Sequence, residues 1–234
     1  MMEAVLRKRH NVNVADGERN QSQAGSNIYE SNVELFTRAC DIALSVAALV
    51  FLAPVLFTVA LFVYLQDGGP IFYGQDRIGK NGKKFKCYKF RSMLVDSAER
   101  LEKLLATDAE AREEWERDHK LKNDPRITKF GNFIRKTSLD EFPQLWNVIK
   151  GEMSLVGPRP IVYNEIVKYG SSFRYYKSVK PGITGMWQVS GRNNIDYVRR
   201  VAIDRKFVQS KSAFLYLYII FATVPAVLAQ KGSY

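Results

Sequence analysis

Two adjacent carboxylates, Asp140 and Glu141, stand inside the run Arg135-Lys136-Thr137-Ser138-Leu139-Asp140-Glu141-Phe142-Pro143. Lys129, Arg135 and Lys136 precede them, and Pro158-Arg159-Pro160 follows. A carboxylate serves as a covalent nucleophile when its surroundings keep it ionised. Arginine suits the gripping of a phosphate, through two parallel hydrogen bonds from one planar group. Prolines on both sides of Arg159 restrict the backbone that carries it. These residue types point to chemistry on a phosphate, with Asp140 as the nucleophile.

The element that carries the pair is read from spacing. Phe142, Leu145, Trp146 and Ile149 recur at i, i+3, i+4 and i+7, an apolar helical stripe. Gly151 closes the helix, with Lys150 in its last turn. Ser138 with Glu141 matches a capping box, which would make both carboxylates ordinary helix-start residues. Pro143 fits better with Asp140 as the N-cap, because the missing N–H then falls in the first turn. In either register both carboxylates feel the positive helix end, which favours ionisation, and a phosphate could use the same donors. On these residues alone, capping and catalysis both stand.

At 234 residues, one domain with a real core is expected. The formal charge of +11, from 35 basic and 24 acidic residues, implies an anionic partner: lipid headgroups, a phosphorylated substrate or nucleic acid. No nucleic-acid module is recognisable, and a long apolar segment argues against that partner. Cys40 and Cys87 form no CxxC and, with His10 and His119, no metal-ligand spacing, which fits a reduced, cytosol-facing location.

That apolar segment runs from Ile42 to Leu65 without a charge. As a helix it extends ~36 Å, enough for a bilayer core of about 30 Å. Pro54 lies near its middle, where a kink is expected. Arg19 and Arg38 precede it, while Arg77, Lys80, Lys83, Lys84, Lys86, Lys89 and Arg91 follow, so a single span would leave the bulk of the chain in the cytoplasm. A re-entrant helix bent at Pro54 and a buried core helix are the alternatives. Upstream, residues 1 to about 30 are polar and aperiodic and read as a disordered tail. No h-region follows Arg7-Lys8-Arg9-His10, so no signal peptide is expected.

Downstream, Ile71-Phe72-Tyr73 and Phe85 to Phe90 read as strands joined by a hairpin at Asn81-Gly82. Gly74 to Asn81 approaches a P-loop pattern, but a hairpin turn follows it rather than a helix, so nucleotide binding of that type is rejected. Lys89 and Arg91 sit where cations could meet a phosphate. Asp96 to about Lys122 reads as one charged amphipathic helix or two, with Asp96 and Glu99 as a cap pair. Lys180 to Asn193 is a glycine-rich loop whose glycines permit close approach of a ligand. Phe214 to Ala229 is uncharged but short for a span, and reads as a helix at the membrane surface or in the core.

Three stretches taken together resemble the bacterial sugar transferase family, specifically its monotopic phosphoglycosyl transferases. They are FYGQDRIGKNGKKFKCYKFRSM (72–93), DPRITKFGNFIRKTSLDEFPQLWNVIKGEMSLVGPRP (124–160) and KPGITGMWQVSGRN (180–193). The resemblance covers about Thr37 to Tyr234 and looks like the catalytic core without the N-terminal spans of larger relatives. It implies an α+β, mostly α fold: a basic, polar tail (1–33), a re-entrant membrane helix (34–66) broken at Pro54, and a cytoplasmic catalytic domain (67–234). That domain would hold a short β-hairpin, amphipathic interface helices and a C-terminal helix at the membrane surface. It also implies that Asp140 attacks a UDP-sugar, releases UMP and passes the sugar phosphate to polyprenyl phosphate, in the first membrane step of exopolysaccharide or O-antigen synthesis. Asp140 and Glu141 would be catalytic, with Glu141 holding Mg²⁺. Arg135, Arg159, Lys89 and Arg91 would bind substrate phosphate, and Pro158, Pro160, Gln188 and Arg192 would form the substrate loop. The implied partners are a UDP-sugar (galactose or glucose), polyprenyl phosphate and membrane lipids, at the cytoplasmic face of the bacterial inner membrane; self-association is left open. Two departures stand out. Ala53 precedes Pro54 where several relatives carry Ser, and Leu215-Tyr216-Leu217 replaces a frequent Leu-Asp-Leu, which makes this end more apolar.

Overall fold

The computed structural model describes residues 2–118, 121, 124–191 and 195–228, with side chains from residue 31 to 226 except at 118. The chain forms two compact units, Met1–Cys40 and Asp41–Tyr234, each described by itself. Helix α1 (Met2–Leu65) supplies nearly all of the first unit and opens the second. The stretch read as a tail therefore carries helical backbone from Met2. No proline occurs before Pro54 to stop it.

In the second unit, the part of α1 after Cys40 exposes apolar side chains, with Val50, Phe51 and Phe57 each over 70% exposed. A soluble core helix would bury them, so the core-helix alternative fails. From Ser31 to Leu65 the helix is long and apolar enough to cross a membrane. Pro54 lies inside α1, with helix on both sides of it. Its missing N–H leaves the Val50 carbonyl without its in-helix donor. The Thr58 hydroxyl donates to the Pro54 carbonyl at 2.9 Å.

The remaining elements are short: β1 (Phe72–Ile78), β2 (Lys84–Phe90), α2 (Ser97–Thr107), α3 (Ala109–Asp118), α4 (Lys129–Lys136), α5 (Gln144–Lys150), β3 (Ser154–Val156), α6 (Ile166–Tyr169), α7 (Phe173–Tyr176), β4 (Gly182–Thr184), α8 (Met186–Val189), α9 (Tyr197–Gln209) and α10 (Ala213–Leu228). The mostly helical α+β expectation holds among the described residues. Strands β1 and β2 form the expected antiparallel hairpin, turned by Asn81 (φ 60°) and Gly82 (φ 75°). Strand β1 runs through the P-loop-like stretch, which removes that reading. Strands β3 and β4 pair in parallel, Ser154 with Gly182 and Val156 with Thr184. The charged segment is two helices, and Asp96 pairs with Arg100 at 2.8 Å instead of capping α2.

Three apolar clusters organise the unit. Val59 and Val63 of α1 pack with Phe90 and Ile134, and Leu139 leans on them. Phe85 and Cys87 pack with Val148 and Met153, fixing α5 to the hairpin. Ile78, Ile161, Tyr169, Tyr176 and Val201 join the end of β1 to α9. Helix α10 packs in the core through one side and leaves another open: Tyr216 and Ile219 are buried, while Phe214, Tyr218 and Phe221 are exposed at i, i+4 and i+7. Tyr216 is not a plain apolar replacement, since its hydroxyl donates to buried Asp41 at 2.8 Å.

Helix α9 is keyed by a buried pair, in which the Tyr169 hydroxyl donates to Asp204 at 2.7 Å. Burial pushes the Asp204 carboxyl up from the ordinary 3.8 to about 6. The protonated form is thus favoured by folding, and its stabilising contribution is full below about pH 4 and lost as pH rises through about 6. Urea melts of wild type and Asp204→Asn across that window should show the wild type losing stability relative to the variant as pH rises. Parallel curves would remove Asp204 from the pH dependence.

Candidate active site

The Asp140–Glu141 stretch does not itself begin an α-helix. Leu139–Glu141 is an isolated 3₁₀ turn, and α5 starts only at Gln144, with Pro143 at its N-cap position. Neither Ser138 nor Asp140 caps α5. Ser138 is left-handed (φ 58°, ψ 16°) and makes no side-chain cap, while the Glu141 side chain turns to Lys89 instead. A non-glycine residue in that region costs ~1–2 kcal/mol. Here it reverses the chain between α4 and the carboxylates. Gly151 (φ 83°) closes α5 as expected, but the buried face is Gln144, Leu145, Asn147 and Val148, and Trp146 lies 55% exposed.

Two contacts hold this turn against β2. Leu139 packs on the Val63, Phe90 and Ile134 cluster. Asn147, fully buried, acts as a strand edge: its Nδ2 donates to the Lys86 carbonyl at 2.7 Å, and its Oδ1 accepts from Tyr88 N–H at 3.1 Å. Backbone groups on the open edge of β2 are thereby satisfied, and α5 is locked in register with the strand. Side chains alternate along β2, so Lys89 shares a face with Phe85 and Cys87.

Lys89 Nζ then lies 2.6 Å from Glu141 Oε1 and 3.7 Å from Asp140 Oδ2. Lys89 and Glu141 line a pocket with Arg77, Gln144, Arg159 and Gln188, with Cys87 and Pro160 in its wall; Asp140 is not among the lining residues but stays within ion-pair range of Lys89. Burial pushes the Asp140 carboxyl above the ordinary range, against the pull of Lys89. A depressed value from a helix terminus was expected; with no helix start at Asp140, desolvation dominates. Glu141 goes the other way. Burial raises it, but Lys89, Arg159 and Arg77 together hold it below its ordinary value. The adjacent carboxyls are therefore split: Asp140 is the more basic, and Glu141 stays anionic.

The expected site residues sort unevenly. Arg159 lines the pocket, exposed between buried Pro158 and Pro160 as the two prolines suggested. Gln188 lines it as well, with Nε2 donating to the Ile183 carbonyl at 3.2 Å and a buried Oε1 that has no hydrogen-bond donor among the described residues. Arg135 is half-buried on α4, near enough to lower the Asp140 pKa. Arg91 is not at the pocket. It is buried, ion-paired with Asp67, and donates to the carbonyls of Pro70, Met93 and Val63, so its guanidinium is consumed in tying β2 to the end of α1. Arg192 and His119 lie outside the described residues. The glycines of the second loop serve backbone packing: a Cβ on Gly182 would lie 2.0 Å from Gly157 N, and one on Gly185 would lie 2.4 Å from Gly157 O.

Sequence reasoning passed over Arg77, Gln144 and Asn147. For Arg77 a signal existed. The Asn81-Gly82 turn fixes a register that sets Arg77 opposite Phe85, on the Lys89 face. Gln144 and Asn147 had no local signal.

The described residues thus combine an apolar helix long enough to cross a membrane with a pocket lined by Arg77, Lys89 and Arg159 beside the Asp140–Glu141 pair. The chain belongs to the bacterial sugar transferase family, whose sequence model matches residues 32–230. It is 50% identical over 214 residues to an undecaprenyl-phosphate galactose phosphotransferase of Salmonella typhimurium (89% of this chain, 44% of that protein). It is 48% identical over 212 residues to a UDP-galactose-lipid carrier transferase of Erwinia amylovora (91% and 44%). It thus spans less than half the length of these two. Against the exopolysaccharide production protein ExoY of Rhizobium meliloti it is 47% identical over 197 residues (84% and 87%).

Lys89→Met removes the cation that most lowers both carboxyls. In a ¹³C NMR titration of the pair, both apparent pKa values should move up relative to wild type. Unchanged titration would show that Lys89 does not govern their ionisation.

Proposed function

We propose that this chain transfers a sugar 1-phosphate from a UDP-sugar to polyprenyl phosphate, through a covalent phosphosugar on Asp140. The observation that carries the reading is the bridged pair: Lys89 lies within ion-pair range of both Asp140 and Glu141, and Lys89 and Glu141 line a pocket with Arg77 and Arg159. The names of the Salmonella, Erwinia and ExoY relatives support the substrate class and its use in exopolysaccharide production.

In the first half, an Asp140 carboxylate oxygen bonds to the β-phosphorus of the UDP-sugar. The bond from that phosphorus to the bridging oxygen breaks, and UMP departs with the electron pair. In the second half, a phosphate oxygen of polyprenyl phosphate attacks the same phosphorus and Asp140 is released. Asp140 attacks in its ionised form, which neighbouring Lys89 favours against the effect of burial, while Lys89 and Arg159 offset the charge that gathers on the phosphoryl oxygens. Buried Gln188 Oε1 offers an acceptor to a substrate hydroxyl or N–H.

Mg²⁺ fits this donor set in one form. Among the described residues no cluster of three or more His, Cys, Asp or Glu could hold a metal alone. Magnesium commonly takes one or two carboxylates, substrate phosphates and water, so ionised Glu141 would hold it alongside the diphosphate, sharing its carboxylate with Lys89. Bound there, Mg²⁺ would screen the diphosphate charge. The exposed apolar faces of α1 and α10 would seat the chain in the cytoplasmic leaflet, with α1 re-entrant about Pro54 and the catalytic part on the side rich in Lys and Arg.

A panel of UDP-sugars with undecaprenyl phosphate tests the reading by UMP release. UDP-galactose or UDP-glucose should support turnover. Asp140→Asn should cut it at least about 1,000-fold, and Glu141→Gln should raise the Mg²⁺ concentration needed for half-maximal rate. Turnover of N-acetylated or diamino sugars alone would overturn the sugar assignment, and full activity of Asp140→Asn would overturn the mechanism.

A further inference from the structure

Arg159 stands exposed at the pocket wall, yet the turn that carries it is gripped from behind. Arg77, at the end of β1, has a side chain only 14% exposed. Its two terminal nitrogens point to different acceptors: one donates to the Pro160 carbonyl at 2.9 Å, the other to Gln75 Oε1 at 2.7 Å. A second line of contacts runs alongside. Ile78 N–H donates to the Ile161 carbonyl at 2.9 Å, and the Tyr176 hydroxyl donates to the Ile78 carbonyl at 2.7 Å while accepting from Ile161 N–H at 3.2 Å. The chain just after Pro160 is thus sewn to the end of β1.

Arg77 is in turn braced from α9. Glu165 Oε2 lies 3.8 Å from its guanidinium and accepts Val162 N–H at 2.9 Å. The other oxygen, Oε1, accepts the Tyr197 hydroxyl at 3.2 Å. Keeping a charged guanidinium here is costly: burial and then the positive charge of Arg159 both push its pKa down. A buried charge of that kind persists where its hydrogen bonds are met. All of the ones described go to the hairpin or the Pro160 turn.

We propose that Arg77 is a positioning residue for Arg159, holding the Pro158–Pro160 turn at the pocket wall through the Pro160 carbonyl and held itself by Glu165 and Tyr197. The inference rests on the transfer reading above, in which Arg159 grips substrate phosphate. Lysine cannot replace it. A single ammonium keeps the charge but loses the planar fork that reaches Pro160 and Gln75 together. Freed of that hold, the Arg159 guanidinium loses its aim, and a misplacement of about 1 Å costs on the order of 10²-fold in rate.

A double-mutant cycle tests this, read as UMP release by the full chain in lipid nanodiscs, with melting temperatures alongside. Arg77→Lys should lower kcat/KM roughly 10- to 100-fold. In an Arg159→Ala background the same change should cost less than about threefold, because its route of action is already gone. Tyr197→Phe should show a smaller loss that also vanishes in that background. Additive losses from Arg77→Lys and Arg159→Ala, or an Arg77→Lys variant as active as wild type, overturn the proposal. Should Arg77→Lys fail to fold, Glu165→Gln takes its place in the cycle with the same two outcomes. A wild-type chain that releases no UMP sinks the transfer reading and the inference with it, whereas additivity in an active enzyme sinks the inference alone.

Discussion

A single ammonium group stands against two neighbouring carboxylates, and the arrangement of the unit from Asp41 onward follows from that contact. Lys89 lies 2.6 Å from Glu141 and 3.7 Å from Asp140 in a largely buried setting. Opposite charges about 4 Å apart attract by roughly 4 kcal/mol at an effective dielectric constant near 20, while burying one ion costs several kcal/mol. One lysine therefore offsets about one carboxylate. Glu141, which also feels Arg159 and Arg77, ends below its ordinary pKa, and Asp140 ends above. The difference gives adjacent, chemically similar residues different characters.

Much of the fold serves to keep Lys89 where it is. The Asn81-Gly82 turn sets the register of β2. Asn147 reaches the free edge of that strand, and Leu139 anchors the 3₁₀ turn in the same cluster that holds Val59 and Val63 of α1. Arg91, two residues beyond Lys89, binds the strand to Asp67 at the foot of α1. Asp41 performs a similar task nearer the start of that helix, accepting from Ser154, from Leu155 N–H and from Tyr216. Tyr216 suits that place because it donates; an aspartate there would set a second carboxylate against Asp41.

The parts legible in the sequence were those with local causes. Asn81-Gly82 announced its hairpin, Gly151 its helix end, and the prolines around Arg159 an exposed cation on a rigid turn. The carboxylate pair was visible as chemistry, but its setting was not. Pro143 stops α5 from reaching back to Asp140, so the helix-terminus argument for a low pKa had nothing to act on. The apolar stripe misled for another reason. A chain fit for a membrane leaves apolar residues such as Trp146 exposed, so hydrophobicity does not by itself mark the buried face. Arg91 and Arg77 exchanged their expected importance because burial and partner choice depend on residues far away in the chain.

The central claim is that Asp140 takes the sugar phosphate onto its own carboxylate, and intact-protein mass spectrometry tests it most directly. Purified chain would be mixed with Mg²⁺ and UDP-galactose or UDP-glucose without lipid acceptor, beside Asp140→Asn. The account predicts a mass gain of one hexose phosphate in the wild type, absent from the variant and discharged when polyprenyl phosphate is added. UMP released on adding polyprenyl phosphate to a chain that is never labelled in rapid-quench samples would contradict it, showing that the phosphosugar passes directly from donor to lipid.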